Sequence, residues 1–203
     1  MVVLHFTAMA DVQAALDRLC DPEAAVSAHY LIAKTGDVIA LVPEDRRAWH
    51  AGAGAWGRHG DINSRSIGIE LDNTGTEPFS EPLMAALEPL LAGILARWAI
   101  PPARVIGHSD MAPGRKADPG RRFDWRRLAR QRLSVWPNPA APGDLRADLE
   151  TFGYRVPRDL PDAEALTLDA FRQRFRPWAT GPADDTDREL AAGLARAWPC
   201  MAG

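Results

Sequence analysis

The sequence predicts an α/β fold, a mixed central β-sheet flanked by helices, followed by a small C-terminal three-helix domain. Three observations carry that expectation. Strand-length apolar runs alternate with helix-period segments up to residue 133. The segment Trp136-Pro137-Asn138-Pro139-Ala140-Ala141-Pro142-Gly143 then cannot continue a helix and reads as a linker. Beyond it only helical stripes appear.

Taken in order, residues 2–7 form a strand. Residues 11–20 form a helix, with Val12, Ala15, Leu16 and Leu19 as its apolar stripe. Residues 28–33 and 38–42 are strands joined through Thr35-Gly36-Asp37, a short glycine turn suited to a hairpin. Residues 66–71 give another strand. Ser80 caps a helix that carries Pro82 in its first turn and runs to about Trp98. A kink is expected at Pro89, whose ring removes a backbone donor and crowds the preceding turn. Residues 104–107 form a short strand after Pro101-Pro102, and residues 124–133 a last helix. Past the linker, the stripes are Leu145, Leu149 and Phe152; Leu166, Leu168, Phe171 and Phe175; and Leu190, Leu194 and Trp198. The domains are therefore expected at residues 1–136 and 144–203, with 137–143 between them.

Composition excludes several classes. With 203 residues and 46% apolar content the chain can bury a sizeable core. Its longest apolar stretch, residues 84–100, is interrupted by Glu88, Pro89 and Arg97 and falls short of the ~20 apolar residues of a membrane helix. Residues 140–203 carry 11 acids and 8 bases, and the first 139 residues 16 of each, so neither part looks like a nucleic-acid binder. Cys20 and Cys200 are too few for a disulfide framework and read as ordinary thiols. Met1 leads straight into Val2-Val3-Leu4-His5, without the basic start and apolar core of a secretory signal. As written, the chain is expected to be cytoplasmic, soluble and monomeric; a signal upstream of the given start would place it in the periplasm or envelope.

His5, His108 and Asp118 stand out as a possible zinc site. Catalytic zinc commonly keeps three protein ligands, two histidines and a carboxylate among them, and leaves a fourth position open. Strand alternation puts His5 on the face of Val3 and Thr7, away from Leu4 and Phe6. The prolines and glycines of the loop at residues 107–120 allow Asp118 to fold back toward His108. Glu70 projects from its strand opposite Ile67, Ile69 and Leu71, with Gly68 clearing space beside it. A carboxylate there can take a proton from an attacking water. Lys116 can offset the negative charge that develops on a carbonyl oxygen.

The segments around His5, around His29, at Ala48-Trp49-His50-Ala51-Gly52, at Asn63-Ser64-Arg65-Ser66-Ile67-Gly68-Ile69-Glu70, at Gly107-His108-Ser109-Asp110 and at Lys116-Ala117-Asp118-Pro119-Gly120 are together similar to the zinc-dependent N-acetylmuramoyl-L-alanine amidases. The group includes the anhydro-muramyl-peptide amidases, and the resemblance spans roughly residues 2–136 with its motifs in register. It implies the fold of the peptidoglycan amidases and recognition proteins. It implies zinc on His5, His108 and Asp118, Glu70 as the catalytic carboxylate and Lys116 as transition-state stabiliser. The implied reaction is cleavage of the amide between N-acetylmuramic acid, or its 1,6-anhydro form, and L-alanine of the stem peptide, in wall turnover or recycling. The region after the linker resembles, on weaker grounds, a peptidoglycan-binding helical domain. Peptidoglycan or its fragments are then the expected partners.

The remaining polar residues have plainer readings beside the functional ones. Trp49, Trp56, His50, Asn63 and Ala112 are candidates for substrate contact, although His50 can equally finish a strand. His29 lies in an apolar strand and reads as a buried orienting residue. Asp110 either pairs with a base or orients His108. Arg115, Arg121, Arg122, Arg126 and Arg127 form either a solvated helix face or a set of forks for stem-peptide carboxylates. The alternative function is a module that binds muropeptides without cutting them. A zinc peptidase of the His-Glu-x-x-His kind is disfavoured because no such motif occurs.

Overall fold

The computed structural model describes residues 1–156 and 161–200. Residues 157–160 and 201–203, which belong to the expected C-terminal domain, lie outside the described residues.

Five strands form a mixed sheet in the order β3-β2-β4-β1-β5. They are β1 (Val2–Phe6), β2 (Tyr30–Ile32), β3 (Val38–Ala40), β4 (Ile67–Leu71) and β5 (Val105–Gly107). β1 lies parallel between β4 and β5, and the β2–β3 hairpin adds the one antiparallel edge. All five strands of the expected sheet are present, each of them shorter than expected. Pro101 and Pro102 hold Pro102–Arg104 in a tight turn, so β5 begins at Val105.

Among the described residues, seven α-helices surround the sheet: α1 (Val12–Cys20), α2 (Glu81–Arg97), α3 (His108–Met111), α4 (Trp125–Arg130), α5 (Leu145–Phe152), α6 (Ala163–Phe175) and α7 (Asp185–Ala197). Asp11 and Ser80 cap α1 and α2 by accepting from the backbone N–H of Ala14 and Leu83, as helix starts require. Pro89 lies inside α2 without ending it. α4 stops short of the expected Leu133. Arg132 takes a left-handed φ of 61°, and the chain doubles back so that Leu133 N–H reaches the carbonyl of Leu128.

Strand alternation divides the core in two. Val2, Leu4, Ile67, Ile69 and Leu71 pack under Leu83, Leu87, Leu91 and Ile94 of α2. The opposite face offers Val3 and Ile106, and here Trp56 and Ile62 join Phe152, Tyr154, Phe171, Phe175 and Leu194 in one continuous cluster. The C-terminal helices thus bury their apolar stripes against the sheet-bearing part of the chain.

Polar contacts reinforce that junction. The guanidinium of Arg174, on α6, donates to Asp110 at 2.8 Å, to the Val105 carbonyl at 2.9 Å and to Ser134 Oγ at 3.2 Å. It also lies 4.3 Å from the centre of the Trp125 ring. Tyr154 donates its hydroxyl to the other Asp110 oxygen. Charged groups this deeply buried persist only when paired and hydrogen-bonded on most sides.

Candidate metal centre and catalytic cleft

His5 and His108 come from adjacent strand ends. β1 and β5 pair with Leu4 opposite Gly107, so the residue that follows each of these, His5 in β1 and His108 at the start of α3, brings an imidazole to the same end of the sheet. The loop that follows closes by main-chain bonds: Lys116 N–H reaches the Ala112 carbonyl at 3.1 Å, and Ser109 N–H reaches the Asp118 carbonyl at 2.9 Å. A Cβ on Gly107 would stand 2.8 Å from Pro119 Cδ, so a glycine is needed for the loop to lie this close.

The closure delivers Asp118 to the two imidazoles. His5 Nδ1 and His108 Nδ1 are 2.9 Å apart, and Asp118 Oδ2 is 2.9 Å from the first and 3.0 Å from the second. All three side chains are buried, and their ligand-type atoms form a group able to hold a metal ion. Burial, then the neighbouring His108 charge, lowers the His5 pKa to about 4, so the ring is neutral near pH 7 and its lone pair is free to ligate. For Asp118, burial pushes the pKa up. Its close contacts with the His108 and His5 rings outweigh that and hold the carboxyl well below its usual range. Two nitrogens and a carboxylate oxygen so close to one another repel unless a cation or proton lies between them. The ~2.0–2.1 Å bonds of a tetrahedral zinc ion need only a small spreading of this triangle.

These residues form the floor of a cleft of about 430 Å³. Its walls include Glu70, Lys116, Arg115 and, from α1, Ala15, Arg18 and Leu19. Burial, and secondarily the Asp118 charge, push the Glu70 pKa well above the ordinary carboxylate range, with Lys116 opposing. Arg115 is pinned by donating to the Ala51 and Ala53 carbonyls.

The other residues singled out in the sequence fall into separate places. His50 lies behind His5, its Nδ1 3.0 Å from His5 Nε2. Asn63 is buried and turned inward, accepting from the backbone N–H of His50 and Ala51 at 3.0 and 2.8 Å. Ala112 is buried, and its carbonyl takes the N–H of Arg115 and of Lys116. Trp49 is exposed, with the Arg47 guanidinium 4.2 Å from its ring centre. His29 is buried, accepting from Gly68 N–H at 2.9 Å and facing the Arg46 carbonyl at 3.0 Å. Asp110 makes its contacts with Arg174, Tyr154 and Gly107 N–H.

Trp56, expected to offer a ring to the substrate, is instead fully buried. Phe152 and Tyr154 pack edge-on against it, with ring centres 5.5 and 5.0 Å away, so no face is left for a ligand. Of the arginine stretch, Arg121 and Arg127 are occupied away from the cleft. Arg121 bonds to the Pro177 and Ala179 carbonyls and Asp169, and Arg127 to Glu81 and Glu88. Sequence reasoning missed Arg18 and Ser66. An arginine on an amphipathic helix and a serine opening a strand carry no signal of their own.

Comparison with known proteins places the site in context. Residues 1–121 match the family described as N-acetylmuramoyl-L-alanine amidase. The chain is 36% identical to the N-acetylmuramoyl-L-alanine amidase AmiD of Escherichia coli K12, over 96% of its own length and 81% of that protein. It is 42% identical to the 1,6-anhydro-N-acetylmuramyl-L-alanine amidase AmpD of Enterobacter cloacae, over 51% of its length and 56% of that protein. The AmiD structure from E. coli, solved with anhydro-N-acetylmuramic acid-L-Ala-D-gamma-Glu-L-Lys, superposes with a TM-score of 0.89 at 35% identity, covering 97% of this chain and 88% of AmiD. AmpDh3 of Pseudomonas aeruginosa, in complex with an anhydromuramic pentapeptide, gives 0.90 at 32% identity and covers 98% and 92%.

Proposed function

This chain belongs to the N-acetylmuramoyl-L-alanine amidase family, and from that membership and the geometry of the cleft we propose that it hydrolyses the amide between the lactyl carboxyl of N-acetylmuramic acid, or its 1,6-anhydro form, and L-alanine of the stem peptide, with zinc held by His5, His108 and Asp118. The observation that carries this reading is the convergence of three buried ligand atoms within 3.0 Å of one another on the floor of a cleft that also exposes Glu70 and Lys116. The anhydromuramyl peptides in the AmiD and AmpDh3 complexes indicate the substrate class.

Zinc in such a site supplies a Lewis acid that polarises the scissile carbonyl and makes water a stronger acid. Glu70, on the strand beside His5, takes the proton of the attacking water and returns it to the departing alanine nitrogen. A carboxyl whose pKa is raised by burial suits both halves of that exchange. Lys116 brings its ammonium to the cleft wall, where it offsets the charge growing on the carbonyl oxygen. Arg115, braced on two backbone carbonyls, gives the same wall a fixed cation for a stem-peptide carboxylate.

Residues 1–136 are proposed as the catalytic domain, since every residue lining the cleft falls within them. The helices of residues 144–203 are proposed as an accessory unit for peptidoglycan. A groove of about 590 Å³ on these helices, with Arg121 of the catalytic domain in its lining, also presents Glu164, Asp169 and Arg172, polar groups suited to the hydroxyls and amides of a glycan or peptide segment.

The test is zinc analysis of the purified chain coupled to mass spectrometry of products from an anhydro-muramyl tripeptide and from whole sacculi. Release of free tripeptide that stops on chelation and returns with zinc is expected. Undiminished release from metal-free protein would overturn the reading, and tight binding of the muropeptide without release would favour a recognition module.

A further inference from the structure

We infer that the dipeptide His50-Ala51, clamped by Asn63, is the positioning element that makes both histidine ligands present Nδ1 to the metal. The inference rests on the metal reading above.

An imidazole can ligate through either nitrogen, and the choice is set by the partner of the other one. For His108 the partner is the Ala51 carbonyl, 2.8 Å from Nε2. A carbonyl only accepts, so Nε2 carries the hydrogen and Nδ1 is left with its lone pair toward the cluster.

For His5 the answer lies three groups away. His5 Nε2 is 3.0 Å from His50 Nδ1, and two facing imidazole nitrogens do not by themselves say which holds the proton. His50 Nε2 is 3.3 Å from Ser66 Oγ, and the Ser66 hydroxyl donates to the Ile62 carbonyl at 2.6 Å. With its single hydrogen committed to that carbonyl, Ser66 Oγ can only accept from His50 Nε2. His50 Nδ1 is then bare and accepts from His5 Nε2, which leaves His5 Nδ1 bare as well. One terminal carbonyl thus orders the whole chain.

The element is built to stay in place. Asn63 Oδ1 binds the N–H of both His50 and Ala51, so one buried amide fixes the side chain that orders His5 and the carbonyl that orders His108. The His50 ring occupies space that only a glycine at position 68 leaves open: a Cβ there would stand 2.4 Å from His50 Cγ.

The test uses the full chain, with zinc affinity measured by chelator competition at fixed pH and the His5 tautomer read from ring nitrogen-15 shifts of zinc-free protein. In the zinc-free chain, His5 should carry its hydrogen on Nε2. Outer-sphere partners of this kind typically contribute ~10–100-fold in metal affinity. His50→Ala should lose affinity in that range, and His50→Gln, whose carbonyl oxygen can still accept from His5, should recover most of it. Ser66→Ala should leave the fold intact and blur the His5 tautomer. The inference is overturned if His50→Ala binds zinc within about twofold of the parent, or if His5 holds its hydrogen on Nδ1. Should His50→Ala not fold, the Ser66→Ala spectrum decides: an unchanged Nε2–H signal would sink the inference. A parent chain that takes up no zinc would defeat the metal reading instead, and the tautomer spectrum would still judge the relay.

Discussion

Glu70 stands directly opposite His5 across the parallel pair β1–β4, so the strand register itself sets a buried carboxyl beside an imidazole of the proposed metal site. Its neighbours at Ile69 and Leu71 point to the other face and pack under α2. If Glu70 shuttles the proton, Glu70→Gln should bind zinc as the parent does and lose ~10²–10⁴-fold in kcat, the usual range for general acid–base catalysis. Product release from an anhydro-muramyl tripeptide, followed by mass, would measure it. Zinc-replete Glu70→Gln with parental kcat would remove Glu70 from the mechanism.

The same carboxyl should leave a mark on stability. Its pKa is raised in the fold above the ordinary 4.5, so the folded chain holds that proton more tightly than the unfolded chain does. The stabilisation is complete below 4.5 and declines as pH climbs from there toward the raised value. Urea midpoints of metal-free protein across that interval should fall with pH more steeply for the parent than for Glu70→Gln. Parallel curves would mean that Glu70 ionises in place at little cost.

Gly68→Ala probes the packing behind the proposed ligands. The added methyl would press on the His50 ring. Overpacking a buried site costs ~1–3 kcal/mol, and the displaced ring would loosen its bond to His5. Thermal unfolding should shift downward and zinc affinity should fall together. A stable Gly68→Ala chain with parental affinity would show that the ring moves aside without consequence.

Arg174→Met would leave the Asp110 carboxylate buried with no cation. Removing one member of a buried ion pair costs ~3–5 kcal/mol, here read as a lower urea midpoint. Asp110 also accepts from Gly107 N–H at the start of α3, which carries His108. Weaker zinc binding should therefore accompany the lost stability. A loss below 1 kcal/mol would show that water or Tyr154 alone can satisfy Asp110.

What was legible in the sequence is what short-range periodicity encodes. Alternation along residues 2–6 and 67–71 assigns His5 and Glu70 to the face opposite Leu4 and Ile69, and the cap at Ser80 starts α2 where its side chain predicts. The loop glycines and prolines announce a turn-rich segment. Its closure, however, depends on Ser109 N–H meeting the Asp118 carbonyl, a single distance that no local pattern specifies. Long-range partners were hidden for the same reason. Asp110 finds its base 64 positions away at Arg174, and Trp56 is covered by Phe152 and Tyr154, so an exposed-looking tryptophan in a glycine-rich segment becomes core. His50 stayed open between groove and strand end because its partner Ser66 belongs to another segment.

If the C-terminal helices hold a polymer as proposed, the cluster in which Trp56 and Ile106 meet Phe152 and Phe171 sets the geometry of its processing. Helices welded to the back of the sheet cannot swing on a tether. A glycan strand gripped in their groove would reach the cutting edge at one constant offset, as stock is held against the stop of a saw, and spacing along the strand would select which stem is trimmed.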